Sequence, residues 1–524
     1  MSLTRRAFIQ RIAQIGGYSA AFSTMRALGM IAAPGVSTLP QLGGDFGKGK
    51  KVVILGAGIA GLVSAYELRK AGFECTVLEA RKRPGGRNWT IRNGSSVEFT
   101  DGTVQKCDWQ EGGYFNAGPA RIPSIHTHLL GYCRELGIPL EVEVNASRST
   151  LMQADVLNGG KAVEQRQVVY DTRGYLAELL TKAINKQALD DELSKEDTAK
   201  LLDFVHGFGD LDSSGRYVGT ARAGFTVPRG AGPAQSAVHK PLKLTELLAA
   251  DFSKGEFYEE QIDWQATMFQ PVGGMDRIAY GFAKSLGEII QYDCPVTEIT
   301  TSDSSTTVAY SKCGGTPETL TADFCICTVP IAVLAQTKNN FSPETQKAFM
   351  GMPMTAQYKI AWESPRFWET ENNIYGGISF LKNTVDLVWY PTDKMFSPTG
   401  VVIAGFNLER EDLTDKVTSF GALPSVQAKL DASRAAVEKL HPGRSHLLTK
   451  PVYVSWAKIP YSLGAYANNR HVECDAAYAQ LEKPQGRTYF AGDYLSHLVG
   501  WQEGAVLSAH HSVERIAGQI RSLS

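Results

Sequence analysis

Residues 50–87 read KKVVILGAGIAGLVSAYELRKAGFECTVLEARKRPGGR, and they decide the fold. The stretch opens with the β-branched run Val52-Val53-Ile54-Leu55, which has the character of a buried parallel strand. It turns through Gly56-x-Gly58-x-x-Gly61 into a helical pattern from Leu62 to Lys70. A second apolar run, Cys75 to Leu78, ends on Glu79, about 20 residues after the glycines. Strand, glycines, helix, strand and terminal acid together predict a βαβ dinucleotide site. In such a site Gly56 allows the tight turn, and Gly58 lets a pyrophosphate approach the backbone. Gly61 lets the helix lie close to the strand. The helix start, which includes Ala60, offers free N–H groups and partial positive charge to phosphate. Glu79 can accept both ribose hydroxyls.

Arg83-Pro84-Gly85-Gly86-Arg87 follows directly, and a second glycine pair flanked by arginines suits further phosphate contact. Glu79 would repel the 2′-phosphate of NADP. The chain has 524 residues, enough for two or three domains, and a net charge of -1, which leaves no electrostatic footprint for nucleic acid. Its 8 cysteines show neither a Cys-x-x-Cys pair nor zinc spacing, and Cys325 and Cys327 read as small core residues. No metal site is expected: His126-x-His128 and His510-His511 lack a third ligand at metal spacing. Asp210, Asp212 and Glu363 read as solvated surface.

The N-terminus, residues 1–40, is set apart. Arg5-Arg6 followed by Phe8 and Ile9 resembles a bacterial twin-arginine export signal, and the apolar stretch Ile12 to Ala33 is interrupted by Arg26. The expectation is export in folded form to the periplasm or medium, with no membrane attachment indicated. Farther along, Ser124 to Leu136 reads as a helix, and Asp171 to Phe208 is dominated by helical spacing, with Leu176, Leu179, Leu180 and Ile184 on one face. Ser194 with Asp197 reads as a helix cap. Arg277 to Leu286 is another helix. Val296 to Thr300, Ala322 to Pro330, Tyr358 to Trp362, Leu387 to Tyr390, Val401 to Phe406 and Arg487 to Asp493 read as strands, and a last helix starts at Gln502.

With these segments in order, the chain resembles the flavin amine oxidases, and more narrowly the L-amino-acid oxidases. The similarity spans Lys50 to Ile520 and rests on VVILGAGIAGL with LEAR and GGR, then GPARIP, VGGMDRI, ADFCICTVP, QYKIAW, DLVWYP, TYFAGDY and VGWQEGAV. It implies an α/β fold with a doubly wound, Rossmann-like FAD-binding domain of the glutathione-reductase type. That domain is expected from residues 48–110, 265–330 and 470–524. A mixed-sheet substrate domain is expected from 111–165 and 331–469, and a helical domain from 166–264.

The resemblance implies noncovalent FAD, since no cysteine lies near the C-terminal motif. Its expected contacts are Gly56, Gly58, Ala60, Gly61, Glu79, Ala80, Arg81, Gly86, Arg87, Gly118, Pro119, Ala120, Arg121, Val296, Asp493, Gly500, Trp501 and Gln502. Arg121 matches the arginine that holds the substrate α-carboxylate, a role its guanidinium fork suits. Lys359 matches the lysine beside the flavin, and Tyr390 is taken as the second carboxylate partner. Whether Tyr390 or Trp389 faces inward is not fixed by spacing. Gly500 and Trp501 match the pair that receives the amine and walls the pocket.

The implied activity is oxidative deamination of L-amino acids to 2-oxo acids, with ammonia and hydrogen peroxide released and dioxygen as acceptor. An amino-acid 2-monooxygenase on the same scaffold is the alternative, and a flavin-binding module without turnover is a third reading. A homodimer or higher homo-oligomer is the expected assembly.

Overall fold

The computed structural model describes residues 40–188, 193–408, 419–468 and 472–523. The twin-arginine-like segment, residues 1–39 of it, lies outside the described residues. The first strand is Lys51–Leu55, the helix after it Ile59–Lys70, and the second strand Glu74–Leu78. They belong to a five-stranded parallel sheet in the order Ile290–Gln291, Glu74–Leu78, Lys51–Leu55, Phe324–Cys327, Thr488–Phe490. The sheet is parallel because its strands are apolar on both faces and both faces are covered. Helices Ile59–Lys70, Arg277–Leu286 and Gln502–Leu523 bury one face with Leu62, Phe282, Val506 and Val513. On the other, Val53, Leu55, Cys325 and Cys327 meet a four-stranded sheet that includes Val296–Thr301.

The strand ends of this sheet open toward a second, seven-stranded mixed sheet. Its order is Val163–Glu164, Leu151–Gln153, Ile378–Leu381, Leu387–Trp389, Thr399–Leu408, Gln357–Pro365, Thr449–Ser455. The largest core lies against it, with Trp109, Trp362, Trp368 and Trp456 all buried. A three-stranded sheet of Ile122–Pro123, Met268–Pro271 and Leu140–Glu143 packs against the parallel-sheet core through Ile122, Leu140 and Phe269.

Helices Gln165–Asn185 and Lys195–Gly209 follow the helical spacing. Ser194 caps the second: its Oγ accepts the Asp197 N–H at 3.1 Å. The buried face of the first helix differs from the leucine reading. Leu176, Leu179 and Leu180 are exposed, while Gly174, Ala177, Thr181 and Ile184 are buried. The cause is close approach. A Cβ on Gly174 would stand 2.2 Å from the Tyr217 ring, and one on Gly209 would stand 2.2 Å from the Ala177 Cβ. Small residues bring these segments together, and larger leucines cannot occupy that face.

Candidate active site

A cavity of about 510 Å³ runs from the dinucleotide turn to the seven-stranded sheet. Every expected cofactor contact lines it except Gly61. Gly61 acts at one remove: a Cβ there would lie 2.0 Å from the Gly56 carbonyl oxygen, so only glycine lets the helix start this close to its strand. Gly56 has φ +102°, which an L side chain resists. Gly61→Val is therefore expected to give protein that purifies without FAD, read as the ratio of flavin to protein absorbance.

The cavity fits FAD in its chemistry. The helix Ile59–Lys70 starts without a side-chain cap, at Gly58 on the cavity wall, so its N-terminal N–H groups remain for phosphate. Buried Glu79 is aimed by its neighbours: Oε2 accepts the Ala57 N–H at 2.7 Å and Oε1 the Arg81 N–H at 2.9 Å. Arg81 is in turn held by Ser462 at 2.8 Å, and burial depresses its pKa. Arg87 pairs with Asp493, whose other oxygen accepts the Gly500 N–H at 3.0 Å. Gln502 accepts from Asn88 at 2.7 Å and begins the helix whose positive end faces the same cavity.

At the other end stand two cations. The Arg121 guanidinium is stacked between Trp264, 4.1 Å from the ring centroid, and Trp389, at 4.3 Å. It donates to Asn145 Oδ1 and to the Tyr258 hydroxyl at 3.0 Å. Among the described residues no carboxylate lies within ion-pair distance of it. Lys359 is 3 % exposed, and its ammonium donates to the carbonyls of Asn116 at 2.7 Å and Gly118 at 2.6 Å. Burial, then the charge of Arg121, holds its pKa well below the usual lysine value. Trp264, Trp389, Phe406, Trp456, Tyr466 and Trp501 wall this end of the cavity. The acids on its wall are Glu79 and Asp493, both at the cofactor end.

Tyr390 does not reach the site. Strand alternation sends Trp389 to the cavity and Tyr390 into the core behind it, where its hydroxyl meets Ser379 at 2.9 Å and His441 Nε2 at 2.7 Å. Burial pushes the His441 pKa down to about 4, so the ring is neutral beside the phenol. Tyr390→Phe is expected to destabilise the fold by about 1–3 kcal/mol, because a buried imidazole and a serine lose their partner. Its KM should stay unchanged, whereas Trp389→Leu should raise KM; denaturant melts and steady-state kinetics of the pair test this.

Asn145, Tyr258 and Trp264, which fix Arg121, escaped the sequence reading. They come from two segments far apart in sequence, around Asn145 and Tyr258 to Trp264, with no shared motif, and only the fold brings them together. His128 and His510 serve structure: His128 Nδ1 meets Glu503 at 2.8 Å and His510 Nε2 meets Tyr132 at 2.7 Å. Asp210 pairs with Arg222, and Asp212 binds the turn at Ser214. Glu363 is buried rather than solvated, with Lys450 at 3.0 Å, because the Gln110 N–H also binds it.

A parallel sheet, an uncapped glycine turn, a strand-end acid and a second buried chamber define a flavoprotein oxidoreductase. The model of the flavin containing amine oxidoreductases matches residues 59–517, and the chain belongs to that family. It is FAD-dependent, as the family is. It is 25% identical to the flavin-dependent L-tryptophan oxidase RebO of Lentzea aerocolonigenes, over 89% of this chain and 98% of that one. It is 26% identical to an L-amino-acid oxidase of Vipera ammodytes ammodytes, over 90% and 94%. It is 24% identical to the putative L-amino-acid oxidase YobN of Bacillus subtilis (strain 168), over 88% and 93%. Among solved structures, putrescine oxidase superposes with TM-score 0.57 at 19% identity, covering 90% of this chain and 99% of that one. Cyclohexylamine oxidase from Brevibacterium oxydans gives 0.59 at 16%, with coverage of 90% and 99%. At these identities the two structures speak to the fold.

Proposed function

We propose that this chain oxidises L-amino acids to 2-oxo acids, releasing ammonia and hydrogen peroxide. One observation carries the reading: a buried guanidinium on the cavity wall, clamped by two indoles, with no carboxylate among the described residues within ion-pair distance of it. A desolvated cation of this kind calls for an anion, and a substrate carboxylate supplies one. A diamine would need an acid at the aromatic end of the cavity, and among the described residues none lines it.

FAD held by the Gly56–Gly58 turn, Glu79 and the Arg87–Asp493 pair would supply the hydride acceptor and the route of electrons to dioxygen. The residues around it bind and orient. Arg121 takes the carboxylate bidentately, and the Gly500 carbonyl takes the amine. The aromatic walls exclude water and hold the side chain, so that most of the gain is orientation. The Lys359 ammonium stabilises negative charge on dioxygen as it is reduced. The same reading takes residues 1–40 as a twin-arginine-type signal, so Arg5→Lys with Arg6→Lys should retain the enzyme in the cytoplasm.

The test is anaerobic mixing of the yellow holoenzyme with L-amino acids, their D-forms and putrescine. Bleaching of the flavin band by L-amino acids alone supports the proposal, and bleaching by putrescine alone removes it. Readmitting oxygen and assaying 2-oxo acid and peroxide, against amide and carbon dioxide, separates an oxidase from a monooxygenase.

A further inference from the structure

Off the cavity wall, within the electrostatic reach of Arg121, is a buried carboxylate with no ion pair among the described residues. Glu143 ends the strand Leu140–Glu143 and is 4 % exposed; both its oxygens are sealed from solvent, with the Trp389 indole as the polar group beside them. Asn145, two residues on and also buried, accepts from Arg121. One short segment thus carries both a hydrogen-bond partner of the guanidinium and a carboxylate within its field. Glu143 lies within the electrostatic reach of Arg121 and near the Trp389 indole, and Tyr258, the other partner of Arg121, feels its charge. A bare buried carboxylate is costly, and nothing in the packing of the strand requires one: its cross-strand neighbour is Met268.

We infer that Glu143 is a positioning residue that couples a proton to substrate anchoring: its charge balances Arg121 in the open site, and it takes up a proton from solvent when a substrate carboxylate binds Arg121. The inference rests on the reading of Arg121 as the carboxylate anchor.

The electrostatics agree in sign. Burial drives the Glu143 carboxyl up to about 7, with Arg121 the main opposing influence. A second anion on Arg121 cancels that influence and raises the carboxyl further, so binding draws in a proton. By linkage, protonated Glu143 leaves the field of Arg121 uncompensated and strengthens anion binding. Carboxylate affinity is therefore high below pH 7 and falls as the pH rises through it.

The other ionisable groups around Glu143 are few. Tyr258 has its pKa raised by burial, and Lys359 stands beyond Arg121. On its own strand, Glu141 is held by Gln270 at 3.0 Å. The loops flanking the other two strands of its sheet carry His126 and Asp263, which face each other at 3.5 Å.

The test uses the FAD-loaded enzyme and phenylacetate, a carboxylate that cannot be oxidised as an amine. Binding is followed by flavin absorbance from pH 6 to 9. Calorimetry in two buffers of different ionisation enthalpy gives the proton count. The wild type should bind roughly tenfold more weakly at pH 8.5 than at pH 6, and should take up a fraction of a proton per ligand near pH 7.5. Glu143→Gln mimics the protonated form, so its affinity should stay high and its proton uptake should fall. Any pH step left in that variant belongs to Lys359. Neutral phenylacetamide should show no Glu143-dependent step.

Identical pH profiles and proton counts in wild type and variant would overturn the inference. So would zero proton uptake by the wild type, a result that stands even if the variant does not fold. Failure of phenylacetate to bind at any pH would remove the Arg121 reading along with it, whereas binding without a pH step removes the coupling alone.

Discussion

Arg121→Met is expected to lower kcat/KM for L-amino acids by two to three orders of magnitude while FAD stays bound. Truncating one member of a desolvated, hydrogen-bonded charge pair costs about 2–5 kcal/mol. At 1.4 kcal/mol per decade, that is about 30- to 4,000-fold. The loss should fall on kcat as well as KM, because the carboxylate clamp also sets the direction of the Cα hydrogen. Retention of FAD follows from the layout: the groups aimed at the cofactor, Glu79, Arg81 and the Arg87–Asp493 pair, are fixed by contacts that do not involve Arg121. Unchanged amino-acid turnover in this variant would dispose of the carboxylate reading.

The same variant carries a stability signature. Arg121 is what lowers the Glu143 carboxyl, so its removal raises a folded-state pKa that already exceeds the unfolded one. A carboxyl raised on folding destabilises as the pH climbs above its unfolded value, since the unfolded chain releases the proton first. Arg121→Met should therefore melt closer to the wild type at pH 5 than at pH 9. A lysine at the position would restore charge but not the fork or the stacking between Trp264 and Trp389, so only part of the activity should return.

What the sequence disclosed, and what it hid, follows from the range of each interaction. The βαβ unit is local: the glycines, the helix and Glu79 lie within one stretch, and their roles depend on backbone geometry that glycine alone permits. Arg121, Lys359 and the Gly500-Trp501 pair were legible through motifs, and the fold brings all four to one cavity. The parity of Trp389 and Tyr390 was not legible. Both are large aromatics on a strand, and the sheet's two faces, one toward the cavity and one toward His441, decide between them. The helix Gln165–Asn185 shows the same limit. Its period was readable, but its buried side is set by Tyr217 and Gly209, distant in sequence, and not by its leucines. Glu143 gave no signal, because a glutamate in an LEVE strand reads as surface until the burial is seen.

Lys359→Met separates the two halves of the catalytic cycle. Reduction by amino acid under anaerobic conditions should persist, because carboxylate and amine are held by Arg121 and the Gly500 carbonyl. Reaction with dioxygen should slow by roughly 10²–10³-fold, the scale at which losing one preorganised electrostatic partner of a developing anion is felt. The buried ammonium is fixed by two backbone carbonyls and by the rings of Trp389 and Phe406, so it meets that charge without reorganisation. Its pKa lies well below that of a free lysine, so the cation is lost early as the pH rises. The wild-type oxidative half-reaction should accordingly slow with rising pH, at a pH well below 10.5, and the variant should lack that step. Stability moves little. Removing the ammonium leaves two carbonyls without a donor, at about 1–3 kcal/mol each, but it also relieves a desolvated charge, and the two effects oppose. Stopped-flow reoxidation across pH, beside a melting curve, makes the distinction. A variant that reoxidises at the wild-type rate would take Lys359 out of the oxygen reaction and leave it a structural cation that ties the Gln357–Pro365 strand to the segment bearing Arg121.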